Sequence, residues 1–203
     1  MLISIHPENP EQRKIQQVAN ILEEGGVIIY PTDTVYGLGC DIANKQAVEK
    51  ICRIRQLDPA KAMLTFICKD ISQIAEYAWQ MDDPIFKLLK KNLPGPFTFI
   101  LKSSNAVPKL LKNKKRTIGV RIPKNNIVSD LIAALNRPLL SISLKNNNED
   151  EYLTDPQLIY DRFGKLVDAV VDGGEGGLTP SALIDCTVNP YEIIREGEGE
   201  IIL

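Results

Sequence analysis

The chain has 203 residues, 44% hydrophobic and 25% charged, the profile of an ordinary globular protein with enough length for a sizeable core. Its formal net charge of −2 gives no general attraction for nucleic acid, so any such binding needs a local patch. No apolar run approaches the roughly 20 residues of a membrane span, and the Met1–His6 start lacks the basic flank and apolar core of a signal peptide.

In chain order, Leu2–Ile5 reads as a short strand. Asn9-Pro10 then opens a helix with Ile15, Val18, Ala19 and Leu22 on its apolar face, closed by Gly25-Gly26. Val27–Tyr30 is a strand. The stretch Tyr30–Gly39 follows as a polar strand end and tight turn, rich in hydroxyls and glycines and suited to holding a small polar molecule. A helix starting at Asn44 buries Ala47, Val48, Ile51 and Cys52. Leu64–Cys68 is a strand, Asp70 caps a short helix, and Asp82–Lys91 is another helix, stopped by Asn92–Pro96.

Phe97–Leu101, Thr117–Ile122 and Leu139–Ser143 are strands, with a helix over Ile127–Leu135. Lys145–Tyr152 is a polar loop and the best candidate for a mobile segment. Pro156–Phe163 is a helix, Asp168–Asp172 a strand, and Gly173–Gly177 a flexible turn. Leu183–Asp185, Ile193-Ile194 and Ile201–Leu203 complete the chain as short strands. Helices and strands intermix without a repeat or an interior linker long enough to divide the chain, so a single domain over residues 1–203 is expected, of α/β or α+β class with a mixed sheet.

The chemistry-bearing residues exclude several classes. The single histidine, His6, reads as an exposed residue and argues against a multi-histidine metal site and a Ser-His-Asp triad. Cys40, Cys52, Cys68 and Cys186 are scattered; they read as buried thiols of a reducing cytoplasm, which is the expected location. Neither of the common glycine-rich phosphate loops is present. A nucleotide would instead rest on cations and hydroxyls.

Arg53 and Arg55 close a helix, Lys61 follows in a loop, Arg121 interrupts an apolar strand and Arg195 precedes Glu196-Gly197. Residues two apart point to different sides of a regular helix, so Arg53 and Arg55 converge only if the helix stops there. Ser141 and Ser143 share a strand face, and Thr32, Thr34, Thr117 and Ser181 fall at strand ends. Taken singly, each arginine reads as a surface ion pair and each hydroxyl as turn or strand chemistry.

Together these segments resemble a known family. Tyr30–Gly39, Arg53–Lys61, Pro94–Thr98, Thr117–Pro123, Ser141–Ser143, Pro180–Asp185 and Arg195–Gly197 resemble, in order and spacing, the YrdC-like family of threonylcarbamoyl-adenylate synthases. Cys52–Leu57 and Ile5–Pro10 look more like its YciO-type branch. The resemblance implies a YrdC-like α/β fold, a twisted mixed β-sheet surrounded by helices with a deep basic cleft. It also implies the joining of L-threonine, bicarbonate and ATP into threonylcarbamoyl-adenylate and pyrophosphate, for threonylcarbamoyl-adenosine in tRNA. Carried over, Thr32, Thr34, Arg121, Ser141 and Ser181 would hold the threonine or carbamate end. Arg53, Arg55, Lys61, Thr117, Ser143 and Arg195 would hold the nucleotide.

Magnesium would arrive with the ATP, and neither a protein nucleophile nor a dedicated metal site is implied. Two departures stand out. Arg53-Ile54-Arg55-Gln56 replaces the synthase Lys-x-Arg-Pro, and Ser143-Leu144-Lys145 replaces Ser-x-Asn, putting a cation where an amide would be. The pocket would therefore serve a diverged synthase, or an enzyme consuming the adenylate. The alternative is a YciO-type protein that binds double-stranded RNA or tRNA without synthase activity, through the basic run Lys109, Lys112, Lys114, Lys115 and Arg116, with Lys87, Lys90 and Lys91 on a nearby helix. No aromatic residue interleaves with the Lys109–Arg116 run to stack bases.

Overall fold

The computed structural model describes residues 1–58, 64–145 and 152–202. Ten strands appear among them: β1 (Leu2–Ser4), β2 (Val27–Tyr30), β3 (Gly37–Asp41), β4 (Thr65–Ile67), β5 (Phe97–Lys102), β6 (Thr117–Arg121), β7 (Leu139–Ser143), β8 (Ala169–Asp172), β9 (Ala182–Asp185) and β10 (Glu192–Arg195). The helices are α1 (Gln12–Glu23), α2 (Lys45–Ile54), α3 (Ile71–Tyr77), α4 (Asp83–Asn92), α5 (Asn126–Leu135) and α6 (Pro156–Phe163), with a 3-10 turn at Lys109–Leu111.

The strands join in one mixed sheet in the order β1-β8-β2-β3-β7-β4-β6-β5-β9-β10. Because side chains alternate across a sheet, its two faces feed two cores. Ile28, Ile67, Leu139, Ala169 and Val171 pack with α1 and α5 on one face. Val27, Ile29, Leu38, Phe66, Leu140 and Val170 pack on the other with apolar residues of α2, α3, α4 and α6.

Helix starts follow their caps. Asn44, Asp70, Asp82, Asn125 and Asp155 each accept a backbone N–H of the following turn. The first helix departs from expectation. The N–H groups of Glu8 and Asn9 both donate to His6 Nδ1, at 3.2 and 3.1 Å, so the chain turns around the exposed imidazole and α1 begins only at Gln12. Its buried face is still Ile15, Val18, Ala19 and Leu22.

Two other expectations change. The polar stretch after Tyr30 is a short loop, and Gly37 onward is a fully buried strand, β3, antiparallel to β2 with Tyr30 opposite Gly37. Ile201-Ile202 forms no strand. Buried Asn92 instead holds the Ile202 main chain, donating to its carbonyl and accepting from its N–H, each at 2.8 Å. Most of the polar loop expected at Lys145–Tyr152 lies outside the described residues, as does Lys61.

The glycine run 173–177 serves close approach to the loop after β2. Gly177 N–H donates to Thr34 O at 2.6 Å, and the Tyr36 hydroxyl donates to Gly174 O at 2.6 Å. A Cβ on Gly177 would stand 2.7 Å from Thr34 O, inside contact distance. Gly177→Ala is therefore expected to lower stability by about 1–3 kcal/mol, as overpacking does. A fall in the urea midpoint at unchanged slope would report it, and an unchanged midpoint would show that the two loops are not locked together.

Candidate functional site

One row of registered residues crosses the middle of the sheet. Gly39 faces Ser141, Ser141 faces Thr65, Thr65 faces Gly119, and Gly119 faces Ile100. Arg121, two residues beyond Gly119, lies on the same side of β6. This is the face that α1 and α5 cover elsewhere, since Tyr30 and Ile67 belong both to that core and to the lining of a cavity. The small residues of the row leave room. A Cβ at Gly37 would stand 3.0 Å from Ser141 Oγ and closer still to the Tyr30 ring.

The cavity encloses about 320 Å³, in the range of small-molecule sites. Among the described residues five cationic ones line it, Arg55, Lys112, Arg121, Lys145 and Arg195, and no acidic one does. Hydroxyls from Thr32, Thr98, Thr117, Ser141, Ser143 and Ser181 complete the polar lining.

Arg121 is the most constrained of these groups. It is 6% exposed. Its Nη2 donates to Asp33 Oδ1 at 2.5 Å and to Thr34 Oγ1 at 3.0 Å. The other Asp33 oxygen accepts from Lys124 N–H at 3.0 Å, so the carboxylate is fixed at both ends. Arg121 Nε is buried with no hydrogen-bond partner among the described residues. An unmatched buried donor is costly, and it marks where an acceptor belongs.

The threonines divide the work. Thr32 Oγ1 donates to Val35 O at 2.7 Å and accepts from Thr34 N–H at 3.0 Å. Having one proton, the Thr32 hydroxyl is committed to the turn, and its 3.2 Å contact with Thr34 Oγ1 takes the Thr34 hydroxyl as donor. Thr34 is 2% exposed and sits behind Arg121, away from the cavity lining.

On the opposite wall, the Tyr30 hydroxyl donates to Ser141 Oγ at 2.5 Å. Burial pushes the Tyr30 phenol up to about 12, so it stays protonated and remains the donor at neutral pH. The Ser141 hydroxyl is thereby left with its own proton to offer. Thr98 and Ser181 share a hydrogen bond of 2.9 Å. Arg195 reaches from the edge strand to Ser181 O through Nε and Nη2, at 3.2 and 2.8 Å.

The two helix-end arginines separate. Helix α2 runs through Ile54, so Arg53 stays on its exposed outer face, whereas Arg55, in the cap, turns into the cavity and donates to Lys145 O at 2.9 Å. Burial disfavours the charge on Arg55, and an anion beside it would relieve that. Lys145 Nζ lies 5.6 Å from the centre of the Tyr152 ring. Within the basic run only Lys112 reaches the cavity lining; Lys109, Lys114, Lys115 and Arg116 are exposed. Asp33, Tyr30, Thr98, Tyr152 and Gly119 join the residues expected from the sequence. Asp33 and Tyr30 lie within Tyr30–Gly39, where only Thr32 and Thr34 carry an expected role.

All four cysteines are buried, and burial raises each thiol above its ordinary value, so none is a nucleophile by environment. Among the described residues no group of three or more His, Cys, Asp or Glu side chains could hold a metal ion, and no helix is long and apolar enough to cross a membrane.

Comparison with known proteins places this architecture. The Sua5/YciO/YrdC family, described as telomere recombination, matches residues 20–197. The uncharacterized protein YciO of Escherichia coli K12 is 46% identical over 198 residues, covering 97% of this chain and 95% of that protein. The crystal structure of E. coli YciO superposes with a TM-score of 0.93 at 44% identity, covering 99% of this chain and 97% of that one. P. abyssi Sua5, solved in complex with L-threonine, superposes with a TM-score of 0.88 at 29% identity, over 97% of this chain and 57% of its own length. With a family match over most of its length and a full-length relative this similar, the chain belongs to the Sua5/YciO/YrdC family.

Proposed function

We propose that the cavity binds L-threonine and an adenine nucleotide and joins them, with bicarbonate, as threonylcarbamoyl-adenylate, releasing pyrophosphate. The observation that carries this reading is Arg121: a buried guanidinium fixed by Asp33 and Thr34, its Nε without a partner among the described residues, in a cavity whose described lining has five cations and no carboxylate. Such a site suits a ligand with several negative charges. The relative solved with L-threonine, P. abyssi Sua5, supports the amino-acid end of the assignment.

In this reading Arg121 and Ser141 hold the threonine carboxylate or the carbamate. Thr34 positions Arg121, Thr32 holds the turn, and Ser181 is presented by Thr98 and Arg195. Arg55, Thr117, Ser143 and Arg195 face the nucleotide. Arg53, exposed on α2, lies outside the lining and is left without a ligand role.

The chemistry asks little of the protein covalently. The threonine amine attacks the bicarbonate carbon, the C–OH bond breaks, and the hydroxide leaves as water with one amine proton, giving the carbamate. A carbamate oxygen then attacks the α-phosphorus in line, the bond to the β-phosphate oxygen breaks, and pyrophosphate departs; magnesium bound to ATP would supply further charge neutralisation. Charge grows on the leaving group, so cations already in position lower the barrier without a protein nucleophile. The lysine at position 145, where the synthase pattern has an amide, adds one more such cation to the wall.

Purified protein supplied with L-threonine, bicarbonate, Mg²⁺ and ATP is expected to yield threonylcarbamoyl-adenylate and pyrophosphate in equal amounts. Release of AMP from preformed adenylate with no synthesis would assign the cavity to consumption instead, and neither reaction would reject an enzymatic role for it. The separation of the two arginines gives a second test. Arg55→Ala is expected to weaken ATP binding in calorimetry by roughly tenfold to a hundredfold, the size of a lost hydrogen bond to a charged group. Arg53→Ala should stay within about twofold, as surface charges do. Equal losses in the two variants would place the nucleotide elsewhere.

A further inference from the structure

A second concavity, of about 520 Å³, lies outside the cavity described above and shares no lining residue with it. Its size falls within the range of small-molecule sites. Three separate segments wall it: α4 with the turn before it, the end of β5, and the turn joining β9 to β10. Buried Leu88, Leu101 and Cys186 belong to the lining, and Ile85, Val188 and Tyr191 add further apolar surface.

Main-chain hydrogen bonds tie these segments to β5. Ile100 O accepts Cys186 N–H at 3.0 Å, and Lys102 O accepts Trp79 N–H at 2.7 Å. On the third side, Asp185 Oδ1 accepts both the N–H and the hydroxyl of Thr187, at 2.8 and 2.6 Å, which holds the turn after β9. The hollow is therefore part of the fold, and a ligand need not spend binding energy to organise it.

Trp79, the only tryptophan of the chain, stands in this lining and is 55% exposed. An indole that exposed contributes little to the core. Gln80, the next residue, holds φ at 44°, a left-handed conformation that is costly for any residue but glycine, and strain of this kind clusters at ligand clamps. Lys87, Lys91 and Lys102 also line the hollow. Lys87 and Lys91 are about one turn apart on α4 and share a face. Among the described residues the lining has one acidic group, Asp82, and its carboxylate is committed to Ile85 N–H as the cap of α4. No ion pair among the described residues involves Lys87 or Lys102.

We propose that this hollow is a binding site for a planar aromatic carboxylate, its ring against Trp79 and Tyr191 and its carboxylate on the ammonium groups of Lys87 and Lys102. Indole and phenol walls favour a flat apolar ligand, because aromatic pairs gain more than the area they bury. Lysines facing a single, already committed carboxylate give the hollow a positive potential, which selects an anion. A phosphate ester presents several oxygens that each seek a donor. The described lining has no arginine fork to meet them, and the Thr187 hydroxyl is taken by Asp185, so the smaller carboxylate head is the better match.

The proposal is independent of the reading of the first cavity. The sole tryptophan gives a single indole N–H signal in a heteronuclear NMR spectrum, and that signal reports on this site. Titration with naphthoate is expected to shift it saturably, with a Kd on the order of 1 mM or tighter for a ligand of so few atoms. Naphthylmethanol, the neutral analogue, should bind about fivefold more weakly, the upper range of an exposed ion pair. A Lys87→Glu/Lys102→Glu double variant should bind naphthoate roughly tenfold more weakly, since two such contacts are reversed. Lys165→Glu, at an exposed position outside the lining, should stay within about twofold. Thermal melts would establish that the variants are folded, and the comparison of the two probes on wild-type protein stands whether or not they are. An unmoved indole signal, equal affinity for naphthylmethanol, undiminished binding by a folded double variant, or an equal loss in Lys165→Glu would each overturn the proposal. So would a Kd for AMP equal to that for naphthoate, which would make the hollow a nucleotide site.

Discussion

A guanidinium buried in the middle of a strand is the constraint on which the rest of this structure turns. Arg121 is flanked by Val120 and Ile122, both buried, and its own side chain is 7% exposed. Burial of an unpaired charge would be severely unfavourable, and removal of one partner from a buried pair typically costs 3–5 kcal/mol. Asp33 meets that demand, and the loop that carries Asp33 is held in turn by the Thr32 hydroxyl, by Lys124 N–H and by the glycine run at 173–177. A single charge thus fixes the relation between β6, the β2–β3 loop and the loop after β8. The cavity opens beside these fixed pieces, and β4, β5 and β7 complete its walls.

The arrangement also explains why so many small residues lie on one face. Gly37, Gly39, Gly119, Ser141 and Thr65 occupy neighbouring positions in the sheet, where larger side chains would fill the void beside Tyr30. The opposite face of the same strands carries Leu38, Phe66, Val120 and Leu140, which belong to the larger core. Strand alternation therefore separates stability from ligand space within a few ångströms.

Much of the frame was legible in the sequence, for identifiable reasons. Val27–Tyr30, Leu139–Ser143 and Pro156–Phe163 occupy the residues that their apolar runs and caps predict, because the local signal and the burial agree. Strand β3 was hidden because Gly37-Leu38-Gly39 reads as a turn in isolation; only pairing with β2 and β7 makes it a strand. Asn9 resembled a cap, but His6 Nδ1 captured the N–H groups around it. In the site, hydroxyls at strand ends and arginines in odd places could be picked out singly. Their division could not: Thr34 faces away from the lining, Arg53 stays outside it, and Asp33 is a clamp. Those facts depend on helix phase and on which proton a hydroxyl has already committed.

The central claim is that a fixed Arg121 anchors the amino-acid end of the ligand, and calorimetric titration with L-threonine tests it most directly. Wild-type protein is expected to bind L-threonine, Arg121→Gln to lose that binding, and Asp33→Asn to weaken it by about tenfold or more, because a charge-assisted contact that orients the guanidinium becomes a neutral one. Circular dichroism on the same samples would establish that both variants are folded. Undiminished threonine binding by a folded Arg121→Gln variant would contradict the account.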